Sequence, residues 1–125
     1  MIKNIGLTEA EEKLAALVWR DAPMGSPELV TAAERELEWK KSTTYTVLKK
    51  LCDKGVFRNE NATVEVLLTR AEQQARESRS YVEDAFGGSL PHFITSFIGG
   101  RKLTTAQASE LRRLIEEHEE DGENG

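Results

Sequence analysis

The sequence predicts a mostly α-helical chain with one small β-hairpin, three helices lying before the hairpin and three after it. Three observations predict this. Apolar residues recur at helical spacing in six stretches, several of them opened by a capping signature. The periodicity changes from helical to partly alternating after Gly55 and returns to helical at Thr69. The glycine pairs Gly87-Gly88 and Gly99-Gly100 cut the C-terminal half into short pieces.

Thr8-Glu9-Ala10-Glu11 is a capping box that opens the first helix. Ala10, Leu14, Leu17 and Val18 then form its apolar face, to about Arg20. Asp21 to Gly25 reads as a connecting loop. Ser26 followed by Pro27 reads as an N-cap with proline at the first helical position. The second helix runs to about Glu36 and buries Leu29, Val30, Ala33 and Leu37. Glu38 to Lys41 make a short turn, with Trp39 against the core.

The third helix spans about residues 42–53 and ends before Gly55. At 100° per residue, Thr44, Val47, Leu48, Leu51 and Cys52 share one face. Ser42, Tyr45, Thr46, Lys49, Lys50 and Asp53 share the other. Alone, such a helix reads as an ordinary amphipathic surface helix. The residues after Gly55 change that reading. Val56–Glu60 and Thr63–Leu68 are β-branched and partly alternating, with Asn61-Ala62 as a turn between them. Three helices and then a hairpin is the order of a winged helix-turn-helix. In that context the hydroxyl and lysine face is a recognition helix, its hydroxyls reaching base edges and its lysines meeting phosphates.

Charge agrees by its distribution. The chain carries −5 in total, which argues against a generic nucleic-acid binder. Residues 40–58, however, hold Lys40, Lys41, Lys49, Lys50, Lys54 and Arg58 against Asp53 alone, net +5. Screening limits reach to roughly 8–10 Å, so local charge matters more than the total.

Thr69-Arg70-Ala71-Glu72 is a second capping box and opens a fourth helix. Its narrow apolar stripe is Ala71, Ala75, Ser78, Val82, Ala85 and Phe86, with Arg76, Glu77, Arg79, Glu83 and Asp84 outside it. Ser89-Leu90-Pro91 opens a fifth helix carrying Leu90, Phe93, Ile94, Phe97 and Ile98. Thr104-Thr105-Ala106-Gln107 opens a sixth, with Ala108, Leu111, Leu114 and Ile115 inward. Asp121 to Gly125 reads as a frayed acidic tail. Helices this short bury little alone, so their large residues need a partner surface. A second copy of the chain is the simplest partner. The expected interface is Val82, Phe86, Leu90, Phe93, Ile94, Phe97, Ile98, Leu111, Leu114 and Ile115. Residues 1–68 thus read as a winged helix-turn-helix domain, and 69–125 as a helical dimerisation region with a disordered acidic tail.

Other chemistry finds little support. Cys52, the only cysteine, excludes an internal disulfide and reads as a buried thiol. His92 and His118 have no compelling ligand partners, so neither a metal nor another cofactor is expected. No nucleophile, phosphate loop or metalloprotease motif appears, so no enzyme is expected. No stretch approaches 18 apolar residues and no signal peptide opens the chain, which reads as cytoplasmic. Two other functions stay open: a regulator sensing a small ligand between its two parts, and a protein-interaction module that does not bind DNA.

With this order laid out, the chain resembles the BlaI/MecI penicillinase-repressor family over about residues 5–119. The matching stretches are Leu7-Thr8-Glu9-Ala10-Glu11, Val18-Trp19, Thr43 to Leu51 with Lys54-Gly55, Phe86-Gly87-Gly88-Ser89 and Lys102-Leu103-Thr104. The resemblance implies a homodimeric winged-helix repressor on a dyad-symmetric double-stranded DNA operator. By position it makes Ser42, Thr43, Tyr45, Thr46, Lys49 and Lys50 operator-facing, with Lys41 just before them. Arg58 and Asn59 become wing positions near phosphate. In the β-lactam branch a sensor-protease pathway cleaves the repressor within helix 5. The matching bond here is Ser96-Phe97, with Ser where cleaved members carry Asn. Many members also have a basic, glycine-containing wing turn where this chain has Asn59-Glu60-Asn61-Ala62. The Cys-x-Cys pairs of the copper branch are missing, so thiolate metal sensing is not expected.

Overall fold

The structure is a computed structural model and describes residues 5–120. Helix α1 spans Glu9–Asp21 and opens on the expected capping box. Thr8 Oγ1 accepts the Glu11 N–H at 3.2 Å, and Glu11 Oε1 accepts the Thr8 N–H at 2.9 Å. Leu14, Ala15, Leu17 and Val18 are buried. Ala10 is exposed, contrary to expectation, and Glu11 faces inward instead.

The stretch read as a loop holds a short strand, β1 (Met24–Gly25). Helix α2 (Ser26–Leu37) follows it without a gap. The expected cap therefore shifts by one residue. Gly25 is the N-cap, and its N–H donates to Glu28 Oε1 at 2.7 Å. The Ser26 N–H pairs with the Ala62 carbonyl at 2.8 Å, so a sheet bond takes the place of a side-chain cap. Leu29, Ala32 and Ala33 are buried, while Val30 and Leu37 are half-buried. Glu38 ends the helix in the left-handed conformation (φ 60°), and Trp39 packs on the core as expected.

Helix α3 (Lys41–Asp53) buries Thr44, Val47, Leu48 and Leu51. Gly55 then takes φ 79°, a value that costs glycine little and lets the chain reverse into the hairpin. Strand β2 (Phe57–Glu60) pairs antiparallel with β3 (Thr63–Val66), Phe57 opposite Val66 and Glu60 opposite Thr63. Strand β1 pairs with the other edge of β3, Met24 opposite Val64, giving the order β1-β3-β2. Phe57 and Val64 close the core beneath the sheet, and Trp19 meets Phe57 edge-on at 5.6 Å. Leu67 and Leu68, expected in the second strand, lie beyond it.

Helix α4 (Arg70–Phe86) opens on the Thr69–Glu72 capping box and ends at Gly87 (φ 58°). Its inward face is not the expected stripe. Ala71 and Ala85 are exposed, whereas Gln73 is buried and Arg76 and Glu77 are half-buried. Hydrogen bonds to residues 5, 7 and 54 draw these polar groups in, so the period of apolar residues did not reveal the face. Helix α5 (Leu90–Ile98) and helix α6 (Thr105–Glu117) are capped by Ser89 and Thr104 as expected. Phe86 and Phe93 stack edge-on at 5.5 Å, and Tyr81 meets Phe93 at 6.1 Å. Leu111, Leu114 and Ile115 are exposed in the single chain rather than inward. Among the described residues no helix is long and apolar enough to cross a membrane. The tail at Asp121–Gly125 lies outside the described residues.

Candidate nucleic-acid interface

Helix α3 is held by three neighbours. Its apolar face packs on α1 and α2, and its C-terminal half borders β2. The opposite face is left open. Ser42, Thr46, Lys49 and Asp53 run down its centre, and all are exposed. Lys41, Thr43 and Lys50 are also exposed. Tyr45 is half-buried on the wing side, and its hydroxyl lies 3.4 Å from the hydroxyl of Ser26. That contact orients the ring from α2.

The basic stretch divides once it is folded. Lys40, Lys41 and Lys50 are exposed. Lys49 Nζ lies 3.3 Å from Asp53 Oδ2 one turn on, both side chains well exposed, so this pair is weak. Arg58 is paired across the wing. It donates to Glu65 Oε1 from Nε at 3.1 Å and from Nη2 at 2.5 Å. Those bonds and the charges of Glu65 and Glu60 raise its pKa. Asn59 is exposed beside it, opposite Val64.

Lys54 leaves the surface set altogether. Its ammonium donates to the Gly6 carbonyl at 2.8 Å and to Glu11 Oε1 at 2.5 Å. Burial pushes the Glu11 carboxyl up. The Lys54 ammonium, the Thr8 N–H and the charge of Lys50 outweigh that and hold it below the ordinary glutamate value.

Cys52 is half-buried rather than buried. It lines a groove of about 470 Å³ between α3 and the wing, with Tyr45, Lys49, Phe57, Arg58 and Asn59 around it. Desolvation raises its thiol pKa. Among the described residues no cluster of three or more His, Cys, Asp and Glu side chains could hold a metal ion.

A three-stranded wing beside an open helix, with α2 and α3 joined by a tight left-handed turn, is winged helix-turn-helix geometry. The family model described as Penicillinase repressor matches residues 7–117. The chain belongs to the penicillinase repressor family. It is 20% identical over 116 residues to a penicillinase repressor of Bacillus licheniformis, covering 90% of this chain and 91% of that one. As a member of the penicillinase repressor family it is a DNA-binding transcriptional repressor.

The rest of this repressor carries the residues expected at a dimer interface. Leu90, Ile94, Phe97, Leu111, Leu114 and Ile115 are exposed, Phe97 to 74%. Val82, Phe86, Phe93 and Ile98 are half-buried. Between α5 and α6 lies an open apolar groove of about 610 Å³, lined chiefly by Phe93, Ile94, Phe97, Ile98, Leu103 and Leu111. Ser96-Phe97 lies in the last turn of α5, ahead of Gly99, and both residues are exposed. Sequence reasoning missed Gln73, Arg76 and Glu77. Their signal is long-range hydrogen bonding, which periodicity does not carry.

Proposed function

We propose that this repressor binds a dyad-symmetric DNA operator as a homodimer, with α3 as the recognition helix. The open face of α3 carries the reading. Ser42, Thr43, Tyr45 and Thr46 supply hydroxyls for base edges, and Thr46 lies at the middle of that face. Lys41, Lys49 and Lys50 meet phosphates. Arg58 and Asn59 approach the backbone from the wing, Arg58 exchanging Glu65 for phosphate at little cost because exposed ion pairs are weak.

In this reading residues 1–68 form the DNA-binding domain and 69–125 the dimerisation region. The observation that supports the homodimer is the exposed apolar side of α5 and α6, whose large residues stay uncovered within one chain. Two half-site readers on one dimer gain affinity through effective concentration.

Binding of purified protein to duplex DNA across a salt series tests the reading. Wild-type affinity falls steeply with salt through counterion release. Lys49→Ala with Lys50→Ala weakens binding to all sequences and reduces the log-log slope by roughly two units. An unchanged slope would remove both lysines from the interface. Affinity insensitive to salt would favour a protein-docking module.

A further inference from the structure

A chain of polar contacts joins the first half of α4 to the end of α3. Arg76 Nη2 donates to the Lys54 carbonyl at 2.7 Å and to Gln73 Oε1 at 2.7 Å. Gln73, only 1% exposed, donates from its amide to the Ile5 carbonyl at 2.8 Å and to Glu77 Oε2 at 2.7 Å. Glu77 Oε2 also accepts the Leu7 N–H at 3.3 Å. Lys54 therefore holds α4 by its carbonyl while its ammonium holds Gly6 and Glu11. A Cβ on Gly55 would lie 3.6 Å from Arg76 Nη1, so the guanidinium sits directly over the end of α3. At the start of α4 the Trp19 indole donates to the Leu68 carbonyl at 2.9 Å, and the Arg70 guanidinium lies 4.7 Å from the Trp19 ring centre. From Tyr81 onward α4 packs on α5 through the aromatic cluster.

These contacts differ in kind from apolar packing. An apolar seam tolerates small rotations, whereas directional hydrogen bonds to fixed carbonyls do not. The lever is long enough for this to matter. Helix α4 has 17 residues and is about 25 Å long. A rotation of about 10° at its anchored end moves the far end roughly 4 Å, more than one base-pair step of about 3.4 Å. Whatever fixes α4 on α3 fixes where a second recognition helix can fall on DNA.

We propose that Arg76, supported by Gln73 and Glu77, is a positioning residue for DNA recognition that sets the half-site spacing the dimer accepts. Arg76 acts through the Lys54 carbonyl and touches no DNA. The proposal rests on the homodimer reading above.

The test is selection of bound DNA from a pool of random duplexes of about 40 base pairs, long enough for two half-sites one or two turns apart. Full-length wild type, Arg76→Ala and Glu77→Ala are compared, with sedimentation and a melting curve for each. Glu77→Ala carries the test if Arg76→Ala does not fold. Wild type selects one half-site pattern repeated at a single spacing. The variants select the same half-site pattern with spacings spread over several base pairs, and they bind a duplex bearing one half-site within about twofold of wild type. A merely structural role would lower the melting temperature and overall affinity while the single spacing persisted, and that result overturns the proposal. An altered half-site pattern overturns it too, by placing Arg76 in base reading. Wild type that sediments as a monomer and selects isolated half-sites overturns the homodimer reading and this proposal together. A dimer whose spacing survives both substitutions overturns this proposal alone.

Discussion

Lys54 shows how one residue changes role on folding. By position it belongs to a basic stretch, yet its side chain is 16% exposed and bonded to a glutamate that is 3% exposed. Removing one partner of such a pair strands the other charge away from water. Glu11→Gln should therefore destabilise the fold by about 3 kcal/mol, read as a lower urea midpoint. The pair also predicts a pH dependence. The Glu11 carboxyl is held below its ordinary value of 4.5 in the folded chain, so between the folded and unfolded values the unfolded state binds more protons. Its contribution is complete above about 4.5 and is lost as the pH falls through the lower folded value. The stability gap between wild type and Glu11→Gln should stay constant near neutrality and narrow below pH 4.5. A gap of the same size at every pH would mean that the carboxylate's charge contributes nothing.

The wing is an element whose turn was legible and is strained. The two central residues of the hairpin both have positive φ, 53° at Asn61 and 60° at Ala62. A two-residue turn with both centres left-handed matches the twist of its strands, and asparagine tolerates that region well. Alanine does not, because its Cβ crowds the backbone. Ala62→Gly should stabilise the protein by about 0.5–1 kcal/mol, the relief of strain exceeding the extra freedom glycine gains when unfolded. A thermal melt reads this directly, and a lower midpoint would mean that the turn is not strained. The carbonyl of residue 62 accepts the Ser26 N–H at 2.8 Å, a bond the substitution keeps. Charge on the wing is a separate matter. Arg58, Glu60 and Glu65 sum to −1, so the wing itself offers little net attraction to phosphate.

For the whole molecule, the proposed homodimer makes its own prediction on helix α5. Phe97 is the most exposed of the large apolar side chains, and it borders the groove between α5 and α6. Placing a charge in an apolar interface is costly, so Phe97→Asp should yield a folded monomer by sedimentation. The same variant should bind a two-half-site duplex about 10²-fold or more weaker, because the second contact is no longer intramolecular. A dimer that survives Phe97→Asp with unchanged affinity would move the interface elsewhere. The polar clamp bears on the choice of a shortened chain. Ending after Leu68 removes the partners of Ile5, Leu7 and Lys54, whereas ending after Arg79 keeps them. The longer piece should be the more stable of the two.

Most helices, and the ends of several, were set by local chemistry that a sequence displays. Thr8, Thr69, Ser89 and Thr104 cap because a hydroxyl one turn from an orphan N–H bonds it without help from the rest of the fold. Gly55, Gly87 and Gly99 end helices because their backbone needs positive φ. The open face of α3 was legible for a similar reason, since its apolar residues recur at the helical period. Tertiary structure alone decided the rest. Strand β1 has two residues, too few for any period, and exists because Val64 offers Met24 a free sheet edge. Lys54 and Arg76 turn inward because carbonyls and a carboxylate distant in the chain accept their hydrogen bonds, which no local pattern records. Periodicity reports where a residue's own apolar surface wants to go. A polar side chain goes where its partners are, and only the folded chain brings those partners within reach.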